Sequence, residues 1–144
     1  MVNKKTLNTL IAGEVDFVDL KFVDLRGVWQ HMSVPAHEFT DENVKKGFGF
    51  DGSSIKGFSA IYESDMLLMP DVDTIFVDPF FPKTLSVICD VYDPDTGSPF
   101  PKDPRSTAKK AEGFLRKSNV ADTSYWGPEI EFFVFDKLVV NLSP

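Results

Sequence analysis

Two places in this chain carry side chains whose type and spacing could do chemistry. The first is Phe50-Asp51-Gly52-Ser53-Ser54-Ile55-Lys56-Gly57-Phe58, continued by Glu63-Ser64-Asp65-Met66-Leu67-Leu68. The stretch is too irregular for a helix or a strand. Gly52 and Gly57 admit backbone angles that other residues resist, and the Ser53 and Ser54 hydroxyls can bond to the chain around them and hold one loop shape. Asp51 stands at the entrance to that loop, straight after the apolar Phe48-Gly49-Phe50 anchor. A carboxylate so placed is either a binding group presented on an ordered loop or the acceptor of a structural Asx turn. The second place is Gly127-Pro128-Glu129-Ile130-Glu131-Phe132-Phe133. On a strand, side chains two apart point the same way, about 6–7 Å apart. Glu129 and Glu131 then share one face while Ile130 and Phe132 anchor the other. Burying two such carboxylates unpaired costs several kcal/mol or forces protonation. They need solvent, basic partners or a metal.

The elements that must position these groups can be read in chain order. Val15 to Val23, rich in β-branched and aromatic residues, reads as a strand, and Asp24-Leu25-Arg26-Gly27 turns the chain into a second strand, Val28 to Val34. There Val28, Gln30, Met32 and Val34 share one side, and Trp29, His31 and Ser33 the other. Thr40 caps the acidic opening of a short helix, Asp41-Glu42, which closes at Lys45-Lys46-Gly47. After the Asp51 loop come brief strands at Met66 to Met69 and Thr74 to Val77. Asp78-Pro79-Phe80-Phe81-Pro82 then makes a rigid, extended connector. Leu85 to Tyr92 is the plainest strand: Leu85, Val87, Cys89 and Val91 alternate against Ser86, Ile88, Asp90 and Tyr92, one face apolar and the other mixed.

Asp93-Pro94-Asp95-Thr96-Gly97 is a turn, with a domain boundary at Ser98 to Pro101. Asp103 caps, and Pro104 opens, the clearest helix. Ala108, Ala111 and Leu115, with Phe114 alongside, form its buried stripe, and Arg105, Lys109, Lys110 and Lys117 face water. A last strand runs from Glu129 to Asp136. Residues 3–12 read as a short amphipathic helix with Leu7, Leu10 and Ile11 on one face. The order is that of a small α+β domain, a helix packed across a mixed sheet.

Composition narrows the function classes. The 144 residues are 42% hydrophobic, enough to build a core, and carry a net charge of −7. That charge argues against a nucleic-acid partner, and the basic run Lys102 to Lys117 reads as a solvated helix face. No apolar run approaches membrane-spanning length. The single cysteine cannot make an internal disulfide, which points to a reducing compartment and a cytoplasmic location. Cys89 reads as a small buried apolar residue. His31 and His37 have no spacing that links them to the carboxylates, and read as neutral, hydrogen-bonded or surface residues.

Phe-Asp-Gly-Ser-Ser followed after eight residues by Glu-Ser-Asp and an apolar run resembles the N-terminal signature of the glutamine synthetases, bacterial type. Gly127 to Phe133 resembles a second motif of that family, in the order the family shows. The resemblance spans residues 15–136. It implies an N-terminal helical segment at 1–14, a β-grasp domain at 15–100, and at 101–144 the first helix and strand of a truncated α/β catalytic domain, with 137–144 departing from the family.

The reaction it implies is ATP-dependent ligation of ammonia to glutamate through a γ-glutamyl phosphate. By that resemblance Asp51 binds ammonium and accepts or relays its proton, and Ser54 helps to fix Asp51. Glu129 and Glu131 hold paired Mg²⁺ or Mn²⁺ ions, and Ile130 stands where Pro is frequent. Phe58 stands where some relatives carry Trp and would cap a pocket by stacking. Asp65 is expected to hold the loop to the following strand through a side-chain bond. The partners implied are glutamate, ammonium and ATP, whose binding residues lie beyond this chain, and further subunits in a homo-oligomer of two stacked rings. In those rings the Asp51 loop serves the neighbouring subunit. The chain by itself is expected to be inactive. Two other readings stay open: a non-catalytic β-grasp interaction module that enters rings of full-length subunits, and part of a related γ-carboxyl amide ligase.

Overall fold

The computed structural model describes residues 13–142. The helix expected at residues 3–12 lies outside the described residues. β1 (Phe17–Val23) and β2 (Trp29–Pro35) form an antiparallel hairpin that pairs Phe17 with Pro35 and Val23 with Trp29. The turn is built on Asp24, which is buried and accepts hydrogen bonds from the N–H groups of Arg26 (2.8 Å) and Val28 (3.0 Å) and from Gln30 Nε2 (3.2 Å). The Val28 bond above all holds the Asp24 carboxyl below its ordinary value, because donors aimed at the anion favour it.

α1 (Asp41–Lys46) is capped by Thr40, whose side chain accepts from the Asn43 N–H at 3.2 Å, and stops at Gly47, where φ is +82°. β3 (Phe48–Asp51), β4 (Asp65–Pro70), β5 (Phe76–Val77), β6 (Thr84–Asp93) and β7 (Ser98–Pro99) follow, and α2 (Pro104–Lys117) is the long helix. The sheet order is β2-β1-β6-β4-β3, with β5 and β7 also paired to β6. β1 runs parallel to β6 and the other pairings are antiparallel. This curled mixed sheet with a helix after the first hairpin is the β-grasp arrangement.

The core gathers Val18, Leu20 and Phe22 of β1, Met66 and Leu68 of β4, and Leu85, Val87, Cys89 and Val91 of β6. The apolar face expected for β6 is the core face. Its other face is largely closed as well, with Ser86 and Asp90 buried, because β6 is the central strand. Among the described residues no helix is long and apolar enough to cross a membrane.

Two expectations are corrected. Ala108, Ala111 and Phe114 of α2 are exposed, and the helix meets the sheet through polar groups instead. Asp103 is buried at its cap and accepts from the N–H groups of Arg105 (3.0 Å), Ser106 (3.1 Å) and Val91 (3.2 Å). Arg105, expected to face water, is largely covered and ion-paired with Asp71 and Asp90, while Lys109 is exposed as expected and also pairs with Asp90. An apolar stripe is buried only where a second apolar surface covers it, and among the described residues none does. The strand expected at Glu129 to Asp136 is not formed either; residues 129–136 are exposed and belong to no β-ladder. A strand leaves its N–H and C=O groups without partners until a neighbour supplies them.

Candidate functional site

The Asp51 loop is pinned at both ends by aromatic packing. Phe50, the penultimate residue of β3, lies against Phe22 with ring centroids 5.0 Å apart. Phe58 closes the loop inside the core, 6.2 Å from Phe22 and 5.3 Å from Phe100. Phe58 is 1% exposed, so it anchors the loop and does not cap a pocket. Phe22 of β1 joins the two ends, since the rings that begin and end the loop both pack against it.

The two glycines serve different needs. Gly57 has φ +90°, the left-handed region that side chains resist. Gly52 is buried, and a Cβ there would come within 2.5 Å of Met66 Sδ. Backbone bonds complete the frame. The Gly52 N–H donates to the Ser64 carbonyl at 2.7 Å. Lys102 Nζ reaches across from the start of α2 to the carbonyls of Gly57 (3.1 Å) and Phe58 (2.7 Å). The bond expected from the Asp65 side chain is replaced by the Gly52–Ser64 backbone bond, and Asp65 stands directly opposite Asp51 across the β3–β4 ladder.

Asp51 itself is exposed. Its Oδ1 accepts from the Ser53 N–H at 2.8 Å and from Ser53 Oγ at 2.6 Å. Both the Asx turn and the presented carboxylate, alternatives in the sequence, are therefore present together. Ser53, not Ser54, makes the well-formed bonds. Ser54 adds a smaller share to the same effect. The Ser53 hydroxyl chiefly, then its N–H, holds the Asp51 carboxyl below the ordinary value of 3.8. An NMR pH titration is expected to find Asp51 ionising below that value, and Ser53→Ala should raise its pKa, since a donor to the anion is lost. An Asp51 that titrates identically in both proteins would refute this account of the loop.

Beside the loop lies an open hollow of about 1170 Å³, lined in part by Glu63, Asp65, Asp93, Asp95 and Lys102. Four carboxylates against one ammonium make its field negative, which raises the local concentration of cations. Glu129 and Glu131 are exposed and lie outside any strand. Among the described residues no group of three or more His, Cys, Asp or Glu gathers as metal ligands. A hard divalent ion takes about six oxygens, so this pair alone does not make a cation site.

The remaining residues singled out in the sequence take structural places. Cys89 is buried and its surroundings push the thiol pKa up, so it is no nucleophile. His37 sits 3.4 Å from Glu38 on the surface. His31 Nδ1 lies 2.8 Å from Asp19 Oδ1, part of a polar network on the outer sheet face that the sequence reading missed. The signal was available: Asp19 and Lys21 sit two apart in β1, opposite Ser33 and His31 of β2.

Comparison with known proteins settles what this scaffold belongs to. Residues 14–94 match the family described as "Glutamine synthetase, beta-Grasp domain". The chain belongs to the glutamine synthetase β-grasp family. It is 53% identical over 136 residues to the glutamine synthetase of Aquifex aeolicus, a match covering 94% of this chain and 29% of that protein. It is 48% identical over 130 residues to a 3-hydroxylaminophenol mutase of Cupriavidus pinatubonensis, covering 90% of this chain and 28% of that one. The cryo-EM structure of Plasmodium falciparum glutamine synthetase superposes with a TM-score of 0.71 at 25% identity, covering 85% of this chain and 24% of that chain. The chain thus spans under a third of the length of its glutamine synthetase relatives.

Proposed function

We propose that this chain is the N-terminal part of a glutamine synthetase subunit, whose complete form joins ammonia to the γ-carboxyl of glutamate at the expense of ATP. The observation that carries this reading is Asp51: an exposed carboxylate on a loop clamped at both ends, within a domain of the glutamine synthetase family. In the complete enzyme Asp51 receives ammonium, since a fixed anion beside an acidic hollow attracts a cation, and takes up or passes on its proton as the nitrogen attacks an acyl phosphate. Ser54 assists in fixing it, after Ser53. Glu129 and Glu131 contribute to the divalent-ion site only once the remaining ligands and a paired strand are supplied.

Partner subunits belong to the same proposal. The loop faces outward, as it must if it serves a site in a neighbouring subunit of a ring, and a cytoplasmic setting accords with the single reduced cysteine. In domain terms, 15–100 is the β-grasp unit, 101–144 opens the catalytic domain, and 1–14 precedes both.

The experiment joins residues 1–136 to the C-terminal remainder of the Aquifex aeolicus enzyme. The chimera is expected to form glutamine from glutamate, ammonium and ATP, and the 144-residue chain to show no turnover. A well-folded, assembled chimera without activity would overturn the proposal. The relative named for a mutase supplies a second reading, a complete protein with a different reaction. Transfer of activity from the Cupriavidus remainder alone would favour it.

A further inference from the structure

We propose that the sheet face turned away from the core holds a site for an organic cation, an ammonium or guanidinium head group. The site is a pocket of about 300 Å³ lined by Asp19, Lys21, Trp29, His31, Phe76 and Phe81. It is built by register. Asp19 and Lys21 alternate with the core residues of β1, and Ser33, His31 and Trp29 stand opposite Asp19, Lys21 and Val23 across the hairpin.

The hydrogen bonds at its base are incomplete. Asp19 and Asp78 are both buried and share one lysine. Lys21 Nζ donates to Asp78 Oδ2 at 2.7 Å and lies 3.7 Å from Asp19 Oδ2, too far for a hydrogen bond. Asp78 is satisfied further by Ser86 Oγ at 2.7 Å and by the N–H groups of Phe80 (2.9 Å) and Phe81 (3.1 Å). Asp19 is satisfied on one side only. Its Oδ1 meets His31 Nδ1 at 2.8 Å and accepts from Ser33 Oγ at 2.7 Å, while its buried Oδ2 accepts no hydrogen bond. Two buried carboxylates thus share one lysine, and one carboxylate oxygen is left wanting a donor.

The walls suit the same occupant. Trp29 and Phe81 are about half exposed, at 54% and 55%, and aromatic faces attract cations. The Phe76 ring already lies 5.6 Å from Lys21 Nζ. An anion would meet a lysine already engaged by two carboxylates. A neutral apolar ligand would satisfy the walls and leave the carboxylate as it is. None of these residues belongs to the Asp51 loop, so this inference stands or falls apart from the proposed activity.

The test uses the full chain with Trp126→Phe, which leaves Trp29 as the one tryptophan of the two in the sequence. Its emission is followed on adding butylguanidinium, butylammonium, neutral butylurea, butyrate, and a blocked Gly-Arg-Gly peptide. The two butyl cations should give a saturable change, butylurea one about tenfold weaker, and butyrate none. Peptide binding tighter than butylguanidinium would assign the cation to a partner's side chain, and the reverse to a free small molecule. Phe81→Ala should weaken the response about tenfold while the circular dichroism stays that of the parent. Asp19→Asn should abolish it. Butylurea or butyrate binding as tightly as the cations, no response to any probe, or unchanged binding by Phe81→Ala would each overturn the site.

Discussion

Replacing Asp51 by asparagine in the chimera should lower glutamine formation by about 10²–10⁴-fold, the range lost with a positioned general base. Asparagine keeps the size of the side chain and a carbonyl oxygen that still accepts from the Ser53 N–H, found at 2.8 Å in the parent. Asp51 is exposed, so no core packing is lost. Only the charge and the ability to take a proton go. A purely structural Asx turn would survive this change, whereas a group that attracts ammonium and accepts its proton would not. The loss should appear in kcat at saturating ammonium as well as in the ammonium KM, and assembly should be unchanged by size-exclusion chromatography. Activity within about twofold of the parent chimera would remove Asp51 from the chemistry.

Asp78→Ala should destabilise the chain by about 3–5 kcal/mol, the cost of removing one member of a buried ion pair. Asp78 holds four donors: Lys21 Nζ, Ser86 Oγ and the N–H groups of Phe80 and Phe81. Without it Lys21 is left 3.7 Å from Asp19, the one carboxylate still near it. A domain of this kind has about 5–15 kcal/mol in all, so the variant should sit close to unfolding, as urea titration followed by circular dichroism will show. Lys21 first, then Ser86 and the Phe80 N–H, hold the Asp78 carboxyl well below the usual carboxylate range. Its folded pKa is therefore depressed. The stabilisation is fully present above the ordinary value of 3.8 and is lost as the pH falls toward the folded value. The stability difference between the parent and Asp78→Asn should accordingly shrink on acidification from about pH 5 to pH 2. A difference that stays constant over that span, or a loss under about 1 kcal/mol for Asp78→Ala, would mean that the pair contributes little.

Much of the scaffold was legible because its code is local. The alternation of Leu85, Val87, Cys89 and Val91 can bury one face only as a strand, and β6 carries these residues in the core. Thr40 before Asp41-Glu42 and Asp103 before Pro104 are helix openings, and both side chains cap as their chemistry requires. The Asp51 loop was legible for the same reason, through two glycines, two hydroxyls and a carboxylate within seven residues of chain.

Phe58 was misread because nothing nearby in the chain says that Phe22 and Phe100 converge on it. Ser53 and Ser54 are adjacent and chemically alike, so only the turn's geometry gave the two good bonds to Ser53. The polar stripe of α2 found Asp71 and Asp90 because those carboxylates stand where the helix lands. Glu129 to Asp136 has strand composition and no strand, since a β-ladder is a property of two segments.

The order of residues was sufficient for the α+β class, the strand and helix openings, the family and the loop that presents Asp51. All of these depend on backbone stereochemistry and on periods of two or 3.6 residues, which act between near neighbours. Only the tertiary structure decided which face of each element is covered, which serine holds the aspartate, and that Asp19, Lys21, His31 and Asp78 share one patch of sheet. Those outcomes depend on segments far apart in the chain meeting in space, and no short-range pattern encodes which will meet.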